Sequence, residues 1–191
     1  MKLVIQRVES ASVEVGAETI SRIGRGLMVL LGIQKGDTLE QVQKLAAKVV
    51  KLRLWPATDD PNKPWVSSVI DNGFEILVVS QFTLFATFSK PRPNYVRAMG
   101  GDEAEALYEA FLGLLRKELG AERVAAGRFG AMMTVELRND GPVTVELVAE
   151  PPEPSAESSK SGGSGGTGTQ AVEGPSPGPS GSDGLVEPAS A

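Results

Sequence analysis

Histidine and cysteine are both absent from this 191-residue chain. Without them, Ser–His–Asp and Cys–His nucleophilic catalysis are excluded, as are zinc sites built on imidazole or thiolate ligands. No disulfide can form, so cysteine usage offers no pointer to secretion. Long apolar runs are missing too, and none approaches the ~20 residues of a membrane-spanning helix. The opening stretch Met1-Lys2-Leu3-Val4-Ile5-Gln6-Arg7-Val8 is too short and too interrupted for a secretory leader. The expectation is a cytoplasmic protein with no membrane partner.

Aromatic residues are scarce, and none occurs from Pro151 onward, where the chain is almost entirely Gly, Ser, Pro, Ala and Glu. Such a composition buries too little apolar surface to offset its ordering entropy. Residues 1–150 are therefore expected to form the folded domain and residues 151–191 a disordered, acidic tail. The tail carries five carboxylates against Lys160, so it accounts for four of the five net negative charges. The domain is left close to neutral. That argues against non-specific nucleic-acid binding, which needs a strong basic excess, and leaves room for a small footprint on one end of an RNA.

Within the domain, residues 2–8 and 12–15 read as strands, the second ending at Gly16. The apolar run 27–33, bounded by glycine, reads as a buried strand. Asp37 followed by Glu40 resembles a capping box ahead of an amphipathic helix over 38–52, with Val42, Leu45, Ala46 and Val49 on its apolar face. Residues 55–64 read as a loop and 74–80 as the clearest buried strand. A second helix is expected over 103–119, capped by Asp102 and stopped at Gly120. Residues 134–137 and 143–148 alternate as strands on either side of Arg138-Asn139-Asp140-Gly141-Pro142. Short connections favour antiparallel pairing. The fold class expected is α+β: an antiparallel, barrel-like β-sheet with outer helices.

Four places offer chemistry. Ser80-Gln81-Phe82-Thr83-Leu84 is polar where a buried strand ends, and backbone N–H groups there can hold a developing oxyanion without a titratable side chain; the plainer reading is hydroxyls serving local backbone groups. Asn139-Asp140-Gly141-Pro142-Val143-Thr144 reads on its composition as a tight turn. Lys90, Arg92 and Arg97, with Tyr95 between them, form a basic loop that is either solvated surface or a phosphate contact. Arg7 lies inside an apolar strand and needs a partner if buried.

The order and the roughly sixty-residue spacing of Ser80–Leu84 and Asn139–Thr144 resemble the two signature motifs of the D-aminoacyl-tRNA deacylase family. Ile5-Gln6-Arg7-Val8 with Ala11-Ser12-Val13, Gly32-Ile33, Gly36-Asp37-Thr38, Leu52-Arg53-Leu54, Ala98-Met99 and Leu107-Tyr108-Glu109 fit the same family. The resemblance covers about residues 1–149. It implies hydrolysis of D-aminoacyl-tRNA, and of glycyl-tRNA, with rejection of the L-form. It implies a homodimer with shared sites, the partner being the acceptor end of tRNA, and it calls for neither cofactor nor metal. Ser80, Gln81, Phe82 and Thr83 would be the catalytic segment, with backbone N–H groups near Gln81 and Phe82 on the acyl carbonyl and Phe82 near the terminal adenosine. Gly141 and Pro142 of the other subunit, joined by a cis bond, would wall off an L-side chain. Arg7 would hold that segment, and Met133 would complete the substrate-binding set. Lys90 stands where the family more often has glycine and Tyr95 where it has phenylalanine. A related group with a trans Gly-Pro bond starts the first motif with proline, where this chain has Ser80.

With no histidine or cysteine to shuttle protons at neutral pH, the resemblance points to assistance by the free hydroxyl of the terminal ribose. The alternatives are direct attack by Thr83, for which the motif supplies no activating base, an RNA-end binding module without catalysis, and an interaction protein acting through its Pro-containing tail.

Overall fold

The computed structural model describes residues 1–151. The tail expectation, from residue 152 on, lies outside the described residues. Six strands form one sheet: β1 Lys2–Val15, β2 Glu18–Ile23, β3 Gly26–Gly32, β4 Glu75–Ser80, β5 Val124–Ala126 and β6 Thr134–Val148. Two helices, α1 Leu39–Val49 and α2 Gly101–Leu119, complete the domain. The strand order is β2-β1-β3-β4-β5, with β6 on β1, and the sheet curls into a nearly closed barrel. The barrel with helices is as expected, but the sheet is mixed. β1 pairs antiparallel with β2, β3 and β6, whereas β3–β4 and β4–β5 are parallel. Parallel neighbours need a long crossover, and α1 and α2 are the helices within those two crossovers. The long irregular stretch between α1 and β4 disguises the strand–helix alternation in the sequence.

Burial explains the pattern. β3 and β4 are apolar on both faces because both are covered. Leu27, Val29, Leu31, Ile76 and Val78 belong to the core shared with the helices, while Met28, Leu77 and Val79 belong to a second cluster inside the barrel. β1 serves both clusters in turn. Leu3 and Ile5 join the first, and Ala11 and Val13, with the same parity, join the second. The irregular register around Val8 flips the strand between them.

Both caps differ from expectation. In α1 the box is made one residue later, by Thr38 and Gln41, whose side-chain oxygen takes the Thr38 N–H at 2.8 Å. Asp37 is engaged elsewhere: its carboxylate accepts from the buried Met1 ammonium at 2.6 Å and from the Gln34 N–H at 2.7 Å. α2 starts at Gly101 after Gly100, with no side-chain cap, and Asp102 sits in its first turn beside Glu103. There both carboxylates complement the positive end of the helix dipole. Gly120 ends the helix at φ +93°, as expected.

The largest correction concerns residues 138–142. They are not a turn between two strands but lie within the single strand β6. Gln6 pairs with Thr144 and Val8 with Asn139, so Asp140–Val143 stand opposite the single residue Arg7. The surplus leaves the ladder as a bulge, and bulges re-aim side chains at the edges of sites.

Candidate active site

Where β4 ends, its ladder with β3 continues for one residue, the Gln81 N–H donating to the Leu31 carbonyl at 2.8 Å. The chain then tightens into a 3-10 turn over Phe82–Phe85. The N–H groups that open such a turn have no carbonyl within it to donate to. No side chain caps this one. The amides of Phe82 and Thr83 are thus the donors left over, Gln81 having spent its own on the sheet. The turn packs closely on β3 because residue 32 is glycine. A Cβ there would lie 3.0 Å from Leu84 Cβ and 3.3 Å from the Gln81 carbonyl oxygen.

Ser80, Gln81 and Phe82 line a groove of about 350 Å³, within the size range of small-ligand sites. Its walls are Tyr95, from the loop already read as a candidate RNA contact, and Met99 on one side, with the Gly100–Gly101 start of α2 and Phe129, which the sequence reading left out. Residues 33–35 and 97–99 run side by side to build one wall, through the Gln34–Ala98 bridge and the Met99 N–H to Ile33 carbonyl bond. Among the described residues no carboxylate and no side-chain cation lines the groove. Thr83 receives a hydrogen bond from the Gln81 side-chain amide, a neutral partner and not a base. Phe82 is half exposed and meets Tyr95 edge-on, with ring centroids 4.9 Å apart. Tyr108, behind the groove, donates to the Val78 carbonyl at 2.9 Å and ties α2 to β4. Burial pushes its phenol far above the ordinary range, so it stays a donor.

The second motif lies elsewhere. Gly141 and Pro142 are exposed and, with Arg7, Trp65 and Val143, line a separate cleft of about 430 Å³. The Gly141–Pro142 bond is cis. Arg7 reaches the bulge: Nη2 donates to Asp140 Oδ1 at 3.2 Å, and Nη1 donates to the Leu54 carbonyl. Met133 joins neither cleft. It packs at the rim of the barrel's interior cluster, near Gly127 and Val79. One chain thus gathers Ser80, Gln81 and Phe82 in one groove and Arg7, Gly141 and Pro142 in another. The walls were legible only in part: Tyr95, Ala98 and Met99 stand in stretches that the sequence singled out, whereas Gly100, Gly101 and Phe129 are ordinary glycine and apolar positions.

The profile of the D-Tyr-tRNA(Tyr) deacylase family matches residues 4–148. The chain is 46% identical over 152 residues to D-aminoacyl-tRNA deacylase 1 of Homo sapiens, covering 80% of this chain and 72% of that one. It is 46% identical over 147 residues to the D-aminoacyl-tRNA deacylase of Dictyostelium discoideum, covering 77% and 97%. A solved structure described as c-Myc DNA Unwinding Element Binding Protein superposes with a TM-score of 0.75 at 45% identity, over 78% of this chain and 99% of that one. A second, described as a probable eukaryotic D-amino acid tRNA deacylase, superposes at 0.66 with 17% identity, over 76% and 97%, and speaks for the fold alone.

Proposed function

Because the chain belongs to the D-Tyr-tRNA(Tyr) deacylase family, we propose that it hydrolyses the ester of D-aminoacyl-tRNA, accepts glycyl-tRNA and rejects the L-aminoacyl form. What supports the mechanism is the pair of unspent amides that opens the Phe82–Phe85 turn, beside a groove that Phe82 lines and that no carboxylate or side-chain cation lines. Water adds to the acyl carbon, the carbonyl oxygen takes the developing negative charge, and the two amides hold it. The adjacent hydroxyl of the terminal ribose assists the water, and the bond to the other ribose oxygen breaks to release free amino acid and tRNA. The protein supplies position and electrostatic complementarity, a contribution that needs no histidine.

Chiral selection rests on Gly141 and Pro142 of a second copy of the chain. The two motifs occupy separate clefts in one protomer, which supports completion of each site by its partner. The Gly-Pro bulge then stands where an L-side chain has to go. Residues 1–150 suffice for this activity, and the expected compartment is the cytoplasm; no helix among the described residues is long and apolar enough to cross a membrane.

Matched D-, L- and glycyl-tRNA substrates test the reading. Release from the D-form is expected to be at least ~100-fold faster than from the L-form, equivalent to ~2.7 kcal/mol of discrimination, with glycyl-tRNA cleaved. Equal rates on D and L would refute it.

A further inference from the structure

The rim of the groove carries a feature that ester chemistry does not require. Between Glu75 and Asp102 there is no acidic residue, in a chain of net charge −5, while Lys90, Arg92 and Arg97 lie inside that span. All three are exposed. None of the three forms an ion pair with a carboxylate among the described residues, and Arg97 donates instead to the Gln34 side-chain oxygen at 2.9 Å. The same segment exposes three aromatic rings: Phe82 at 55%, Phe88 at 67% and Tyr95 at 36%. The loop is pinned in place. Thr87 and Asn94 exchange backbone hydrogen bonds of 2.8 and 2.9 Å, the Asn94 side chain takes the Val96 N–H at 2.8 Å, and Pro91 and Pro93 stiffen the tip.

Exposed cations free of carboxylates, interleaved with exposed aromatic faces, are what single-stranded nucleic acid requires. Phosphates meet the cations, and bases of any identity stack on the rings. Phe82 and Tyr95 belong to the groove itself, but Phe88 does not line it, so it has a face to offer beyond the esterified nucleoside. We propose that the 87–97 loop is a single-strand RNA surface, on which Phe88, Lys90 and Arg92 hold the unpaired nucleotides next to the esterified adenosine. The proposal rests on the deacylase reading for the identity of its RNA.

The test uses Phe88→Ala and the double variant Lys90→Gln/Arg92→Gln. The control, Lys48→Gln/Lys117→Gln, removes the same charge from the last turns of α1 and α2, away from the groove end of α2. Each protein is given a D-aminoacyl-tRNA and the same D-amino acid esterified to adenosine alone, and is titrated with a labelled single-stranded RNA ending in CCA. Each loop variant is expected to lose about tenfold or more in kcat/KM on the tRNA, carried by KM, with turnover of the adenosine ester unchanged. The double variant is also expected to lower the salt slope of RNA binding by ~0.7 for each phosphate that it no longer neutralises. The control is expected to match the unaltered protein. Loop variants that match it on tRNA and on the RNA strand overturn the proposal while the deacylase reading stands. RNA binding lost in the loop variants, with no hydrolysis of either ester by the unaltered protein, supports the surface and overturns the deacylase reading instead.

Discussion

Arg7 and Asp140 face each other across β1 and β6 at the one place where four residues of β6 oppose a single residue of β1. Nη2 donates to Oδ1 at 3.2 Å and Nε stands 3.2 Å from Oδ2, with both side chains largely shielded from solvent. Arg25 is the other cation near Asp140, at 3.8 Å, and it is mostly exposed. The guanidinium of Arg7 also donates to the Leu54 carbonyl. One side chain thus joins the foot of the Gly-Pro bulge to the loop after α1. Removing it leaves Asp140 with only that distant partner. Arg7→Ala is expected to cost ~1–3 kcal/mol of stability, the range for leaving a buried polar group unsatisfied, and to lower the D/L rate ratio at least tenfold. Arg7→Lys keeps the charge but loses the fork, and its ratio is expected to fall as well. Melting curves and paired D/L assays check both; a ratio unchanged in both variants would separate Arg7 from selectivity.

Gly141 is at φ +116°, where a side chain is strained, and a Cβ there would lie 2.8 Å from Val143 Cγ2 and 3.2 Å from Arg7 Nη2. Gly141→Ala therefore has to displace the bulge or the arginine. The expected result is a loss of ~1–3 kcal/mol in denaturant unfolding and at least a tenfold drop in D-aminoacyl-tRNA turnover by folded protein. Full turnover would show that the bulge does not touch the reaction.

Thr83 has the Gln81 amide as its side-chain partner, and no base hydrogen-bonds to it among the described residues. Thr83→Ala keeps the backbone amide and is expected to keep substantial activity. A tRNA ending in 2′-deoxyadenosine, acylated on the 3′ oxygen, is expected to bind and to react very slowly. Single-turnover assays decide. Normal reaction of the deoxy substrate together with an inactive Thr83→Ala would make the threonine the nucleophile.

The Met1 ammonium and Asp37 form a fully buried pair at 2.6 Å. Breaking such a pair strands a charge in low dielectric and costs ~3–5 kcal/mol. Asp37→Asn is expected to approach that loss in urea unfolding. A change below ~0.5 kcal/mol, the scatter of ordinary surface substitutions, would mean that water has access to the pair.

Asp71 accepts hydrogen bonds of 2.8 Å from both the backbone N–H and the hydroxyl of Ser68. The backbone bond first, and the hydroxyl second, hold its carboxyl below the ordinary value of 3.8. A depressed folded value means that the unfolded chain binds the proton more readily, so the stabilisation is present above the unfolded value and is lost as pH falls through the folded one. The melting-temperature gap between the unaltered protein and Asp71→Asn is expected to be full at neutral pH and to close below about pH 3.8. A gap independent of pH down to acid unfolding would contradict this.

Much of the local structure was legible in the residues alone. The apolar run at 27–33, the strand at 74–80 and the helical spacing of Val42, Leu45, Ala46 and Val49 report how much of each segment is covered, and burial follows directly from side-chain chemistry. The absence of histidine and cysteine excluded nucleophilic and zinc chemistry built on them, and the paired motifs at 80–84 and 139–144 marked the family. Cap positions were misplaced by a residue or two because a cap is a competition: Asp37 is a good capping residue until a buried ammonium claims it.

What only the tertiary structure decided depends on pairing between distant segments. The parallel crossovers and the short strand β5 depend on which strands become neighbours, and hydrophobic periodicity does not encode that. Gly and Pro after Asn and Asp read as a turn wherever they occur, since local chain stiffness is all that composition expresses. They become a bulge only because β1 pairs with β6 on both sides of Arg7. The separation of the two motifs into different clefts has the same origin, since neighbours across a sheet are chosen by hydrogen-bond register, a property of two strands together and of neither alone.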